Sequence, residues 1–296
     1  MKKTTLLQKS LQEHGVLIVP AVYDCLSARI VEAIGFKAAI LASSMAGDAQ
    51  FGLPPIGLLS ATEVGNFSGY IADAVEIPLI VEAEDGFGGA LAAYRATREF
   101  IKKGIAGIVI SDRKHTMLMR APHNLVEVLP IEEYLGKMGA IIEARNKEDR
   151  DFVIIARIDA GAVIGDEEAI ARAKGCVKLG VDIIQPQTPP PQAKFKEKDK
   201  EGLRQLYKAM GAPEVAIWGM GPHGFTAKDC EETGAKMWVP KYSPRSAVVQ
   251  ALGGVYQEVY DTGDYQPKPS KQGADISKRM RGSARWRELE DKFMPQ

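Results

Sequence analysis

Phe152-Val153-Ile154-Ile155-Ala156-Arg157-Ile158-Asp159 is apolar without alternation until an arginine and an aspartate interrupt it at its end. Such a run reads as a strand buried on both faces, the mark of a parallel sheet covered by helices. The stretch after it, Asp166–Leu179, has helical periodicity, and Gly180 follows as a left-handed stop before the next apolar run, Asp182–Gln187. That is one βα unit, and it recurs outward in both directions. Val16–Tyr23, Ala38–Ser43, Leu79–Glu84 and Gly107–Asp112 precede it as strands; Val215–Gly219 and Met237–Tyr242 follow. Helical stretches separate them at Ala28–Ile34, Ala61–Ala74, Leu91–Lys103, Ile131–Arg145, Lys200–Met210 and Ala227–Thr233, with Ser246–Tyr260 after the last strand. Eight βα units in order predict a (β/α)8 TIM barrel of α/β class over residues 1–260. The polar segment Asp261–Gly273 reads as a linker, and Ile276–Phe293 as a C-terminal helical arm within residues 261–296. Its stripe of Met280, Trp286, Leu289 and Phe293 needs a surface to cover it, on the barrel or on a neighbouring subunit.

Composition narrows the partners. Lys+Arg and Asp+Glu both number 38, so there is no basic excess to recruit nucleic acid or an anionic membrane. No apolar stretch reaches the roughly 20 residues of a membrane-spanning helix. Cys25, Cys176 and Cys230 are scattered without metal or redox spacing, which points to a cytoplasmic protein.

Barrel enzymes carry their chemistry at the C-terminal ends of the strands, so those ends are where charged residues matter. Glu82 and Glu84 are two apart on one strand and project to the same side. Two facing carboxylates need a cation or a shared proton, and hard oxygens suit Mg2+ or Mn2+; a helix cap or a Lys/Arg partner is the structural alternative. Arg157 offers a planar fork to a carboxylate or phosphate, unless Glu82, Glu84 or Asp159 already occupies it. Asp112 ends the fourth strand as a metal or water ligand, or as a surface partner of Arg113. His115, His123 and His223 all follow strand ends and can serve as proton donors. Long connections at residues 44–60, 113–130 and 188–200 leave these same ends as natural lids. These features read as a site for a small anionic carboxylate.

Taken in order, Pro20–Arg29, Phe51–Gly57, Val81–Gly89, Arg95–Asp112, Phe152–Ala160 and Gly180–Ile184 resemble the isocitrate lyase / phosphoenolpyruvate mutase superfamily across nearly the whole chain. The resemblance implies a barrel whose C-terminal arm is swapped between subunits of a homotetramer. It implies lyase, mutase, hydrolase or decarboxylase chemistry on 2-oxo or 2-hydroxy carboxylates through an enolate stabilised by Mg2+. Carried over by position, Glu82 and Glu84 take the place of a D-x-D metal motif, Arg157 that of a carboxylate-binding arginine, and Ser43 and Ser44 that of backbone amides on the substrate carboxylate. Several positions depart from the pattern. Pro55 and Ser111 stand where acids are usual, Gln187 where a glutamate is usual, and Arg113–His123 contains no cysteine. The lyase motif K-[KR]-C-G-H is absent, and the Asn and Glu usual after the seventh strand are not found around Ala216–Gly221. The expectation is therefore a divergent carbon–carbon lyase or decarboxylase, with His123 supplying the missing proton donor. The alternatives are phosphonate C–P hydrolase or mutase chemistry, a metal-independent reaction in a secondary pathway, and a non-catalytic metabolite-binding barrel.

Overall fold

The structure is a computed structural model that describes residues 1–54, 56–114, 126–187, 200–212, 214–218, 226–240, 244–266, 270–280 and 283–294. Strands lie at β1 (Leu17–Ile18), β2 (Ala21–Val22), β3 (Ala39–Leu41), β4 (Leu79–Glu82), β5 (Gly107–Ser111), β6 (Val153–Ile158), β7 (Ile183–Pro186), β8 (Ala216–Trp218) and β9 (Met237–Val239). All pairings between them are parallel, in the orders β1-β9-β8 and β2-β3-β4-β5-β6-β7.

Two joints turn these pieces into a ring. The first predicted strand is split by Pro20, which has no N–H to give the ladder. Val19 N still donates to Trp238 O at 2.9 Å on one side, and Pro20 O accepts from Ile40 N at 3.0 Å on the other. At the opposite joint a parallel bridge links Ile184 to Val215. The eight predicted strand positions are therefore all present, and the barrel closes.

Side-chain parity sorts the strands into two packed layers. Val19, Ile40, Ile80, Val109, Val153, Ile155, Ile183 and Met237 point into the lumen, which Leu7 and Leu11 of α1 (Lys3–Gln12) plug from below. Leu41, Val81, Ile108, Ile110, Ile154 and Ala156 point outward to the helices. Those helices are α2 (Cys25–Ile34), α4 (Ala61–Ala74), α5 (Ala90–Lys102), α6 (Ile131–Glu148), α8 (Asp166–Leu179), α9 (Lys200–Met210) and α10 (Ala227–Thr233). Capping boxes start α2 at Asp24 with Ser27 and α4 at Ser60 with Glu63. Gly35 and Gly180 end α2 and α8 in the left-handed conformation expected of them.

Three features differ from the sequence expectations. The connection after the second predicted strand begins as a helix, α3 (Ser43–Phe51), and a short helix α7 (Ala160–Val163) follows β6. Neither has an amphipathic pattern long enough to detect from sequence. The final helix is two, α12 (Lys271–Met280) and α13 (Ser283–Phe293). The helix after the last strand, α11 (Pro244–Thr262), runs into the predicted linker and has no buried residue, unlike the other barrel helices.

Candidate active site

The lumen-facing parity of Ile80 continues to Glu82 and Glu84, that of Val109 to Ser111, and that of Ile155 to Arg157 and Asp159. Strand ends β4, β5 and β6 thus deliver acids, a hydroxyl and a guanidinium to one place. Ser43 arrives from the first turn of α3. Its hydroxyl is hydrogen-bonded to Glu84 Oε1 and lies 3.3 Å from Glu82 Oε2. Arg157 uses its whole fork: Nη1 donates to Glu82 Oε1 at 3.2 Å, Nε to Asp159 Oδ2 at 2.9 Å and Nη2 to Asp159 Oδ1 at 3.1 Å. Arg113 Nη2 donates to Asp159 Oδ1 at 2.6 Å, and Ser111 Oγ to Asp159 Oδ2 at 3.0 Å. The side chains of Arg157 and Glu82 keep 15% and 16% of their surface, against 4% for Asp159, so the first two face the opening and Asp159 supports them from beneath.

Glu82, Glu84, Asp85, Val109, Ser111, Arg113 and Arg157 enclose a cavity of about 10 Å³. That is room for one water or one ion. Glu84 and Asp85 also border a much larger cleft of about 870 Å³ between the start of α4 and α5.

Burial and the charge of Glu82 raise the Glu84 carboxyl to about 7, against the hydrogen bond from Ser43 and the charges of Arg157 and Arg113. Asp159 is held below the usual carboxylate range by Arg157 and Arg113, which together outweigh its burial. Near neutral pH the Glu84 carboxyl is therefore only partly ionised. A divalent cation would stabilise both as carboxylates. Two hard oxygen donors and a hydroxyl fit an ion that keeps several waters, as Mg2+ does. Among the described residues no third Asp, Glu, His or Cys joins them as a ligand cluster.

Backbone geometry is unusual at the same point. Ala83 to Gly86 forms a tight turn closed by Gly86 N to Ala83 O at 2.9 Å. Glu84 occupies its first central position at φ 51°, where glycine is the usual residue, and Phe87 follows at φ 61°. A non-glycine residue held in this region costs about 1–3 kcal/mol and needs its surroundings to hold it there.

Of the residues expected from sequence, Glu82, Glu84, Ser43 and Arg157 meet. Ser44 sits in the first turn of α3 but is exposed, with its side chain outside the cluster. Asp112 lies elsewhere. Its parity is that of Ile108 and Ile110, so its fully buried carboxylate points to the helical layer. There it accepts from Asp159 N at 2.8 Å, Ala160 N at 3.2 Å and Arg172 Nη1 at 3.3 Å. It ties the start of α7 and α8 to β5, and its predicted surface partner Arg113 pairs with Asp159 instead. His115, His123 and His223 lie outside the described residues. Asp159 takes the place named for it as a partner of Arg157, and Ser111 and Arg113 join the site as well; continuing the parity of β5 by one step points to Ser111.

Residues 7–259 match the family described as phosphoenolpyruvate phosphomutase. The 2-methylisocitrate lyase of Aeropyrum pernix is 30% identical over 258 residues, covering 87% of this chain and 80% of that protein. Oxaloacetate acetylhydrolase, solved with the inhibitor 3,3-difluorooxalacetate, has the same fold at a TM-score of 0.85 and 21% identity, covering 100% of this chain and 98% of that one. Phosphonopyruvate hydrolase in complex with oxalate and Mg++ gives a TM-score of 0.81 at 24% identity, covering 100% of both chains. With a closed barrel, polar strand ends and a family match spanning most of its length, the chain belongs to the phosphoenolpyruvate phosphomutase family, within the PEP mutase/isocitrate lyase superfamily.

Proposed function

We propose that the chain is a carbon–carbon bond lyase or decarboxylase acting on a small 2-oxo or 2-hydroxy carboxylate. The observation that supports it is the meeting of Glu82, Glu84, Ser111, Arg113 and Arg157 around one cavity at the C-terminal end of the barrel, with Ser43 bonded to both glutamates. Glu82 and Glu84 are the residues that would hold Mg2+ or Mn2+. When bound, such an ion supplies positive charge to an oxygen on which negative charge develops. Arg113 and the Nη1 of Arg157, which here donates to Glu82 and would exchange that partner for the substrate, are the groups that would orient the substrate carboxylate, with Asp159 fixing both guanidinium groups. The cavity itself is too small for an organic acid, so the substrate lies across its mouth, towards the larger cleft that Glu84 also borders. The amides near Ser43 and Ser44 lie in the first turn of α3, where helix polarity favours an anion, and are the groups that would hold a carboxylate oxygen. His123 is proposed as the proton donor brought in by the connection after β5.

The exposed apolar side chains of α11 support an assembly of identical subunits, for which we propose a homotetramer with exchanged arms. The three free thiols fit the reducing cytoplasm, and no helix among the described residues is long and apolar enough to cross a membrane.

The test is a panel of 2-oxo and 2-hydroxy acids incubated with the protein and Mg2+ or Mn2+ while pyruvate and CO2 release are followed. The expected outcome is metal-stimulated turnover of at least one member, lost by about 100-fold or more in Glu82→Ala and Arg157→Ala, the scale of removing a group that stabilises developing charge. Phosphate release from phosphonopyruvate in its place would move the reading to C–P chemistry. Binding without turnover would make the barrel a metabolite receptor. Neither turnover nor binding in the unmodified protein would end the proposal.

A further inference from the structure

Lys137 is the one lysine among the described residues that is almost wholly buried, 3% exposed, and it takes no part in the chemistry above. It rises from α6, and its Nζ donates to the carbonyl oxygen of Asp85 at 2.7 Å. The carbon stem passes under the turn: a Cβ added at Gly86 would lie 3.5 Å from Lys137 Cδ and 3.1 Å from Ala93 Cβ on α5. Burial lowers the pKa of Lys137, and Asp85 and Glu133 are the acids that offset part of that effect and favour its charge.

The carbonyl it holds belongs to the Asp85–Gly86 peptide, the same peptide whose N–H closes the turn on Ala83 O, one residue beyond Glu84 with its left-handed backbone. The Glu84–Asp85 peptide is held as specifically, for Glu84 O accepts from Ser111 N on β5 at 2.8 Å. Two successive peptides of the turn are thus anchored at opposite sides, Glu84–Asp85 by the neighbouring strand and Asp85–Gly86 by a buried cation. A further bond, Phe87 N to Asp85 Oδ1 at 2.9 Å, stiffens the exit. Hydrogen bonds to charged donors are stronger than neutral ones, and a buried one is not replaced by water without cost. With the ammonium removed, the Asp85–Gly86 peptide is free to rotate and its N–H leaves Ala83 O; the turn that imposes φ 51° on Glu84 then opens, and the carboxylate turns away from Ser43 and the cavity.

We propose that Lys137 is a positioning residue, a buried clamp that holds the strained turn Ala83–Gly86 and so keeps the Glu84 carboxylate in the cavity. Its structural half stands on the turn alone. Its functional half rests on the reading above that Glu84 helps to hold a divalent cation.

Lys137→Met keeps most of the stem and deletes the ammonium, and Lys137→Arg restores a cationic donor. The first measurement is amide hydrogen exchange of the full chain without metal. In Lys137→Met the amides of Gly86, Phe87 and Ser111 are expected to exchange at least tenfold faster, with those of β6 and of the rest of α6 unchanged. The second is Mn2+ binding, expected to weaken at least tenfold in Lys137→Met and to recover most of that loss in Lys137→Arg. Where Lys137→Met does not fold, Lys137→Gln takes its place. Unchanged exchange in the turn overturns the proposal. So does exchange that rises uniformly through α6 and β5, or unfolding of both neutral variants, because Lys137 would then serve general packing. An unmodified protein that binds no Mn2+ sinks the metal reading, while the exchange result still decides the clamp.

Discussion

Asp112 shows how one residue's direction decides its role. Burial lifts its carboxyl to about 6, with Asp159 adding to the rise, even though two backbone amides and Arg172 favour the charged form. It is therefore ionised at pH 7.5 and bonded to three donors. Asparagine there turns one acceptor into a donor facing other donors and leaves Arg172, itself 1% exposed, with Glu168 in place of two carboxylate partners. Asp112→Asn is expected to lose about 3–5 kcal/mol at pH 7.5 by urea unfolding, the usual scale for breaking a buried pair. The pH dependence has a definite sign. A carboxyl raised in the folded state contributes stability below its unfolded value near 4 and loses that contribution as the pH climbs through about 6. The gap between the unmodified protein and Asp112→Asn, compared at pH 7.5 and pH 5, should therefore widen at the lower pH. A variant as stable as its parent at pH 7.5 would remove the structural role assigned to Asp112.

At the scale of elements, the pairing of β5 with β6 sets the register of the site, since Ser111 lies opposite Arg157 at its end. Its other end contains Gly107 opposite Val153. A Cβ on Gly107 would stand 2.8 Å from Val153 O and 3.0 Å from Val153 Cβ, closer than the strands allow. Gly107→Ala should cost about 1–3 kcal/mol, as overpacking does. Gly136 on α6 has open space around it, so Gly136→Ala should stabilise by about 0.5–1 kcal/mol through helix propensity. Denaturant midpoints check both, and shifts of the same sign would contradict this account. The strands themselves were legible from sequence because barrel strands are apolar on both faces, and that pattern is local. The convergence of Glu82, Glu84 and Arg157 was legible too, since parity and strand order follow from the same pattern. Asp112 was misread because its type was weighed without its parity. The left-handed Glu84, the clamp from Lys137 and the pairing of Arg113 with Asp159 were hidden because each depends on contacts between segments distant in sequence. Glu84 is even a residue whose type argues against the conformation it adopts.

At the scale of the whole molecule, one barrel helix is left uncovered among the described residues. Along α11, Val248, Val249, Leu252, Tyr256, Val259 and Tyr260 recur at helical spacing, and each is 37–86% exposed. On α13, Trp286 and Phe293 are both 71% exposed. An apolar stripe of this length on an eighth barrel helix is not stable against water, whereas α2, α4, α5 and α6 all bury theirs. The arm also has few anchors to its own barrel: α12 rests on α2, where Arg279 reaches Ala33 O, and Arg245 at the start of α11 pairs with Asp48 on α3. A second copy offering the same stripe satisfies both surfaces at once, and closed symmetry limits the assembly to a fixed number of chains. Sedimentation equilibrium at micromolar concentration is expected to give a mass near that of four chains. Val249→Glu with Leu252→Glu should shift it to smaller species whose circular dichroism still reports a folded barrel. A monomeric parent protein would refute exchange of the arm, and it would require the α11 stripe to be covered by the chain's own barrel in solution.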